Sequence, residues 1–140
     1  MTSAGKTLAQ VPGLTEIRRT YSGHPAQVRQ VRRDLAQTLG TFSLADELAL
    51  VASELCANAV IHSRSGQAGG RFTVHVKVCP DDFVWIEVQD EGGAWHDDEH
   101  TDDRPHGLDI VQALAGAGNW GVDIGGSRRV VWVRLNWPSE

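Results

Sequence analysis

The chain has 140 residues, 41% apolar and 22% charged. That excludes general disorder and predicts one domain able to bury a core without metal or disulfide staples. Thirteen basic against eighteen acidic side chains give a net charge of −5, which excludes direct nucleic-acid binding through a broad basic surface. No apolar run approaches the roughly 20 residues of a membrane helix. Met1 to Val11 lacks an apolar signal core, and Cys56 and Cys79 form no C-x-x-C pair. A reduced, cytoplasmic chain without membrane contact is expected.

Residues 1–13 read as a flexible tail ending in Pro12 and Gly13, and residues 14–140 as the single domain. Leu14 to Tyr21 predicts a weak edge strand. His24-Pro25 opens a first helix, with Pro25 in its first turn, where a missing N–H costs little. Val28, Val31, Leu35 and Leu39 follow at helical spacing up to Gly40. Ser43, with Asp46 three residues on, predicts the cap of a second helix. Leu44, Leu48, Val51, Leu55, Ala59 and His62 then fall in one narrow stripe. On that stripe His62 reads as a hydrogen-bonded core histidine.

Phe72, Val74, Val76 and Val78 alternate with polar residues, as do Val84, Ile86 and Val88 beyond Pro80-Asp81-Asp82. Together they predict an antiparallel hairpin. A third helix is expected from His106-Gly107 through Leu114. A last strand pair is expected at Asn119–Ile124 and Val130–Leu135, around Gly125-Gly126. The order predicts an α+β, two-layer α/β sandwich: a mixed, mostly antiparallel sheet with helices on one face.

Three local patterns could carry chemistry. Glu54 and Asn58, four apart, share one side of the second helix. They project roughly 80° and 40° from the line of Leu44, at the shoulder of the apolar stripe. The pair reads either as polar groups meeting a neighbouring loop, or as a carboxylate base beside an amide ligand for a hard cation such as Mg²⁺. Asp90-Glu91-Gly92-Gly93-Ala94 follows a strand. It reads either as a plain turn or as a carboxylate that accepts the amino group of adenine while glycine admits a planar ring. His106-Gly107-Leu108 marks either an ordinary helix start or free amides for a phosphate.

Taken in order, these patterns resemble the Bergerat-fold (GHKL) ATPase superfamily. Within it, the likeness is to the anti-sigma-factor serine/threonine kinases and the ATP-binding regulators of the actinobacterial type. ELCANAVIHS (54–63) is similar to the N box, VQDEGGAW (88–95) to the first glycine box and HGLDIV (106–111) to the second. WGV (120–122) and VVWVRL (130–135) resemble the closing strands. The resemblance implies a general base at Glu54 and a Mg²⁺ ligand at Asn58. It implies an adenine-reading carboxylate at Asp90, with Gly92 and Ala94 lining the ATP site. It also implies phosphate-binding amides at His106, Gly107 and Leu108, and a lid over Asp90 to Pro105.

Three features depart from that pattern. Pro105 and His106 stand where the second box usually opens with glycine and arginine, and proline offers no amide. Val130 is taken as the match to a threonine near the adenine pocket. The expected lid is acidic, with Asp97, Asp98, Glu99, Asp102 and Asp103 around Arg104; His96, His100 and His106 among them leave a metal site open beside a solvated loop.

The implied activity is ATP- and Mg²⁺-dependent phosphorylation of a small anti-sigma-factor antagonist in partner-switching transcriptional regulation. A sigma factor is implied as a second client, and a homodimer as a common assembly. The alternative is a non-catalytic module of the same fold, in which nucleotide orders the lid and changes a protein surface.

Overall fold

The computed structural model describes residues 14–92, 106–116 and 118–138. The expected tail at 1–13, Ala94 and the acidic segment through Pro105 lie outside these residues. The elements run β1 (Thr15–Ser22), α1 (Ala26–Leu39), α2 (Ala45–His62), a 3-10 turn (Arg64–Gly66), β2 (Arg71–Cys79), β3 (Phe83–Asp90), α3 (His106–Ala115), β4 (Trp120–Gly125) and β5 (Arg128–Asn136).

The strands form one sheet in the order β1-β2-β3-β5-β4. Every pairing is antiparallel, so the expected mixed component is absent among the described residues. Tight turns join β2 to β3 and β4 to β5, helices join β1 to β2, and the chain between β3 and β5 passes through α3 and β4, so β5 returns antiparallel to β3.

Strand alternation explains the two layers. Phe72, Val74, Val76 and Val78 of β2, Val84, Ile86 and Val88 of β3, and Val131, Val133 and Leu135 of β5 are all buried. They share the face covered by the helices, because successive side chains of a strand point to opposite sides. The stripe of α2 supplies the opposing surface through Leu48, Val51, Leu55 and Ala59. Helix α2 lies over β2, β3 and β5; α1 packs on α2 and β1, and α3 on α2, β5 and β4. The other face of the sheet carries no helix among the described residues.

Local chemistry differs from expectation at two points. Helix α2 begins at Ala45 with Leu44 as its N-cap and no side-chain cap bond, so Ser43 does not cap it. The Ala45 amide instead bonds the Phe42 carbonyl at 2.9 Å, and Leu44 is held by burial in the core. His62, expected in the core, ends α2 half-buried. No helix among the described residues is long and apolar enough to cross a membrane.

A buried polar contact ties β1 to α1. The Tyr21 hydroxyl donates to Asp34 at 2.8 Å, Gln30 donates to the same carboxylate at 2.9 Å, and Arg19 lies 3.4 Å away. Burial works to raise the Asp34 pKa, but the bonds from Gln30 and Tyr21 and the Arg19 charge outweigh it and hold the carboxyl below its ordinary value. The Tyr21 hydroxyl is pushed up, first by burial and then by its bond to Asp34.

Candidate nucleotide site

Glu54 and Asn58 occupy the third and fourth turns of α2. Glu54 is half-buried, whereas Asn58 is only 8% exposed. Their spacing stacks them on one side of the helix. Among the described residues, the Asn58 amide has no hydrogen-bond partner on the protein. At about 1.5 Å per residue, Asn58 lies about 6 Å before the end of α2 at His62.

That end of α2 is fastened to the end of β3. The Arg64 amide donates to the Gly92 carbonyl at 2.8 Å. Ser65, fully buried, accepts from the Glu91 amide at 2.9 Å and donates to the Arg71 carbonyl at 2.7 Å. The residues that follow Asp90 are therefore gripped by the turn that follows Asn58. Thus the Glu54–Asn58 helix and the Asp90-x-Gly92 strand end, 32 residues apart between Asn58 and Asp90, are brought to one edge of the sandwich.

Asp90 closes β3 on the helix-covered face and is 2% exposed. One carboxylate oxygen accepts the Gly92 amide at 2.7 Å. The other accepts both Nε of Arg129, at 3.0 Å, and Nη2 of the same guanidinium. Burial pushes the Asp90 pKa up, while the Gly92 amide and the Arg129 charge pull against it. Gly92 has φ +63°, and a Cβ there would sit 2.6 Å from the Ser127 carbonyl oxygen. Only glycine tolerates both conditions.

Arg129 was not among the residues singled out from sequence. The register sets Arg129 opposite Asp90 and Val130 opposite Gln89. Val130, expected near the adenine pocket, thus points to the other face, and Arg129 is the β5 residue beside Asp90. The signal was present in the alternation: Arg129 is in phase with buried Val131, Val133 and Leu135, just as Asp90 is in phase with Val84, Ile86 and Val88. A charge of each sign, at the same end of two apolar strand faces, calls for pairing.

His106, Gly107 and Leu108 form the first turn of α3, where backbone amides lack intrahelical partners. The helix is anchored by Val111, which is fully buried, and packs against α2. Among the described residues no group of three or more His, Cys, Asp or Glu side chains could hold a metal ion. The histidines of the expected acidic lid at 96 and 100 lie outside those residues.

An ionised carboxylate offers about four lone-pair sites; Gly92 and Arg129 take three at Asp90, which leaves one on the oxygen bonded to Gly92. A single amide ligand at Asn58 suits Mg²⁺, which keeps several waters and shares its remaining ligands with phosphates.

The family described as histidine kinase-like ATPase domain matches residues 21–124. No curated protein matches the chain. Among solved structures, the RsbU and RsbW domains of Rv1364c from Mycobacterium tuberculosis are similar, with a TM-score of 0.65 and 21% identity. The likeness covers 89% of this chain and 34% of that one, so the chain spans about a third of that protein's length, and at this identity it establishes the fold. With the family matched across the helix pair, the hairpin and α3, the chain belongs to the histidine kinase-like ATPase domains, an ATP-binding fold.

Proposed function

We infer that the protein is an ATP-dependent serine/threonine protein kinase that phosphorylates a small antagonist protein in partner-switching transcriptional regulation. The observation that carries this reading is the joining of two helix residues, Glu54 and Asn58, to the Asp90–Gly92 strand end through Arg64 and Ser65. The solved relative contains an RsbW domain, which supports the same regulatory setting.

In this reading Asp90 accepts from the adenine amino group through its one remaining lone pair. Asn58 holds Mg²⁺ through its amide oxygen. The amides of His106, Gly107 and Leu108 meet phosphate, with the helix dipole in their favour. Bound Mg-ATP would supply the γ-phosphoryl group, with Mg²⁺ offsetting phosphate charge and ADP departing as the bond from its bridging oxygen breaks. Glu54, half-buried and one turn from Asn58, takes the proton from the substrate hydroxyl. The substrate is a small anti-sigma-factor antagonist, a sigma factor is the second client and the setting is the cytoplasm.

A second reading is a nucleotide-sensing module without transfer, in which bound nucleotide changes a protein surface. Incubation with γ-labelled Mg-ATP and a candidate antagonist separates the two. Label on the antagonist that is lost in Glu54→Gln, with nucleotide binding kept, supports the kinase. Nucleotide binding with no label on any antagonist supports the sensor.

A further inference from the structure

The face of the sheet away from the helices holds a cavity of about 630 Å³ at the end of β1, β2, β3 and β5. Its floor is one cross-strand row: Thr20 pairs with Thr73, and Thr73 with Gln89. Its rim is formed by Arg71, Glu91, Ser127 and Arg128, with Arg64 reaching in from the turn after α2. Asp90 also contributes to the lining, whereas Glu54 and Asn58 do not.

The charge of the cavity runs against that of the chain. Three guanidiniums face one exposed carboxylate, Glu91, because Asp90 is committed to Arg129 on the other side of the sheet. Among the described residues none of Arg64, Arg71 and Arg128 is ion-paired. In a protein of net charge −5, three unpaired guanidiniums lining one concavity are a local excess of two positive charges.

The walls are also built rather than merely exposed. Buried Ser65 bonds the backbone of both Arg71 and Glu91. Arg64 is held by its side-chain bond to the Glu91 carbonyl at 3.3 Å. The Ser127 carbonyl lies close to Gly92, 2.6 Å from where a Cβ would stand. Thr20 and Thr73 share one hydrogen bond at 2.8 Å, which leaves one hydroxyl proton of the two to donate into the cavity.

We propose that this cavity binds a phosphoryl dianion, carried either by inorganic phosphate or by a small phosphomonoester. A phosphate bears about −1.5 to −2 charge at neutral pH, matching the local excess. Guanidinium forks pair bidentately with its oxygens, and the threonine, serine and glutamine groups supply neutral donors. The volume lies within the roughly 300–1,000 Å³ range of small-molecule sites. Among the described residues the lining is polar or charged throughout, with no aromatic ring, which suits a polar body on the phosphoryl group.

The test is a titration of the full chain, followed by backbone amide resonances, with inorganic phosphate and separately with ribose 5-phosphate. Saturable shifts are expected at Thr73, Gln89 and Arg128. In Arg71→Ala/Arg128→Ala the apparent Kd should rise by about tenfold or more, with melting temperature and ATP affinity unchanged. Tighter binding of ribose 5-phosphate identifies a phosphomonoester; equal or weaker binding identifies inorganic phosphate. The proposal is overturned if shifts concentrate at Glu54–Asn58 and the start of α3, if the double variant binds as wild type, or if no saturation appears by about 10 mM. The site stands or falls apart from the kinase reading, because ATP binding and phosphoryl transfer are measured separately.

Discussion

Arg129 and Asp90 face each other across β5 and β3 as a buried ion pair, each only 2% exposed. Two apolar strand faces thus end in opposite charges at the point where the nucleotide site is proposed. This carboxylate pairs the ends of two interior strands and in the proposed function also reads the base, which would couple stability and recognition through one side chain.

Arg129→Ala is expected to cost about 3–5 kcal/mol, because it leaves an unpaired carboxylate in the interior. Asp90→Asn should also destabilise, by leaving the guanidinium without its counter-charge, besides weakening ATP binding. The double replacement Asp90→Leu/Arg129→Met should regain most of the stability but bind no ATP. Urea unfolding of the three variants, together with calorimetry of ATP binding, checks this.

Glu54→Gln keeps size and hydrogen-bonding capacity at a half-buried position, so its unfolding midpoint should stay near wild type. Phosphoryl transfer to the antagonist should fall by about 10²–10⁴-fold, the usual contribution of a positioned base. Equal transfer rates in the two proteins would remove Glu54 from the reaction.

Gly92→Ala combines a strained φ with a close approach to the Ser127 carbonyl. A loss of about 1–3 kcal/mol is expected from the backbone conformation alone, with more from displacement of the β4–β5 turn. Nucleotide affinity should fall with it, because the Gly92 amide bonds Asp90. Thermal unfolding and calorimetry on one preparation read both effects.

Asp34 should shape the acid limb of stability. Its pKa is lowered in the folded chain, so its contribution is present above the ordinary unfolded value of about 3.9 and is lost as pH falls through the lower folded value. Tyr21→Phe removes one bond to the carboxylate and should cost about 1.5–3 kcal/mol at neutral pH, the range for bonds to charged groups. It should also bring the folded pKa closer to the unfolded one, flattening the loss of stability between pH 4 and the acid transition. Urea midpoints measured across that range give the answer.

Periodicity along the chain was enough to place three helices, five strands, the core stripe of Leu48, Val51, Leu55 and Ala59, and the order of the motifs. These follow from rotation per residue and from strand alternation, which are local properties of the backbone. The partner of Asp90 was not legible in the same way. The family resemblance put Val130 near the adenine pocket, but the register with β3 turns Val130 to the opposite face and sets Arg129 against Asp90. The grip of Arg64 and Ser65 on Glu91 and Gly92 was likewise hidden, since it joins segments 26 to 28 residues apart. The arginine-lined cavity required four strands to be brought into register. Residue type and spacing determine which groups exist and which element carries them; only the packed sheet decides which charges meet, because pairing across strands is set by the whole core.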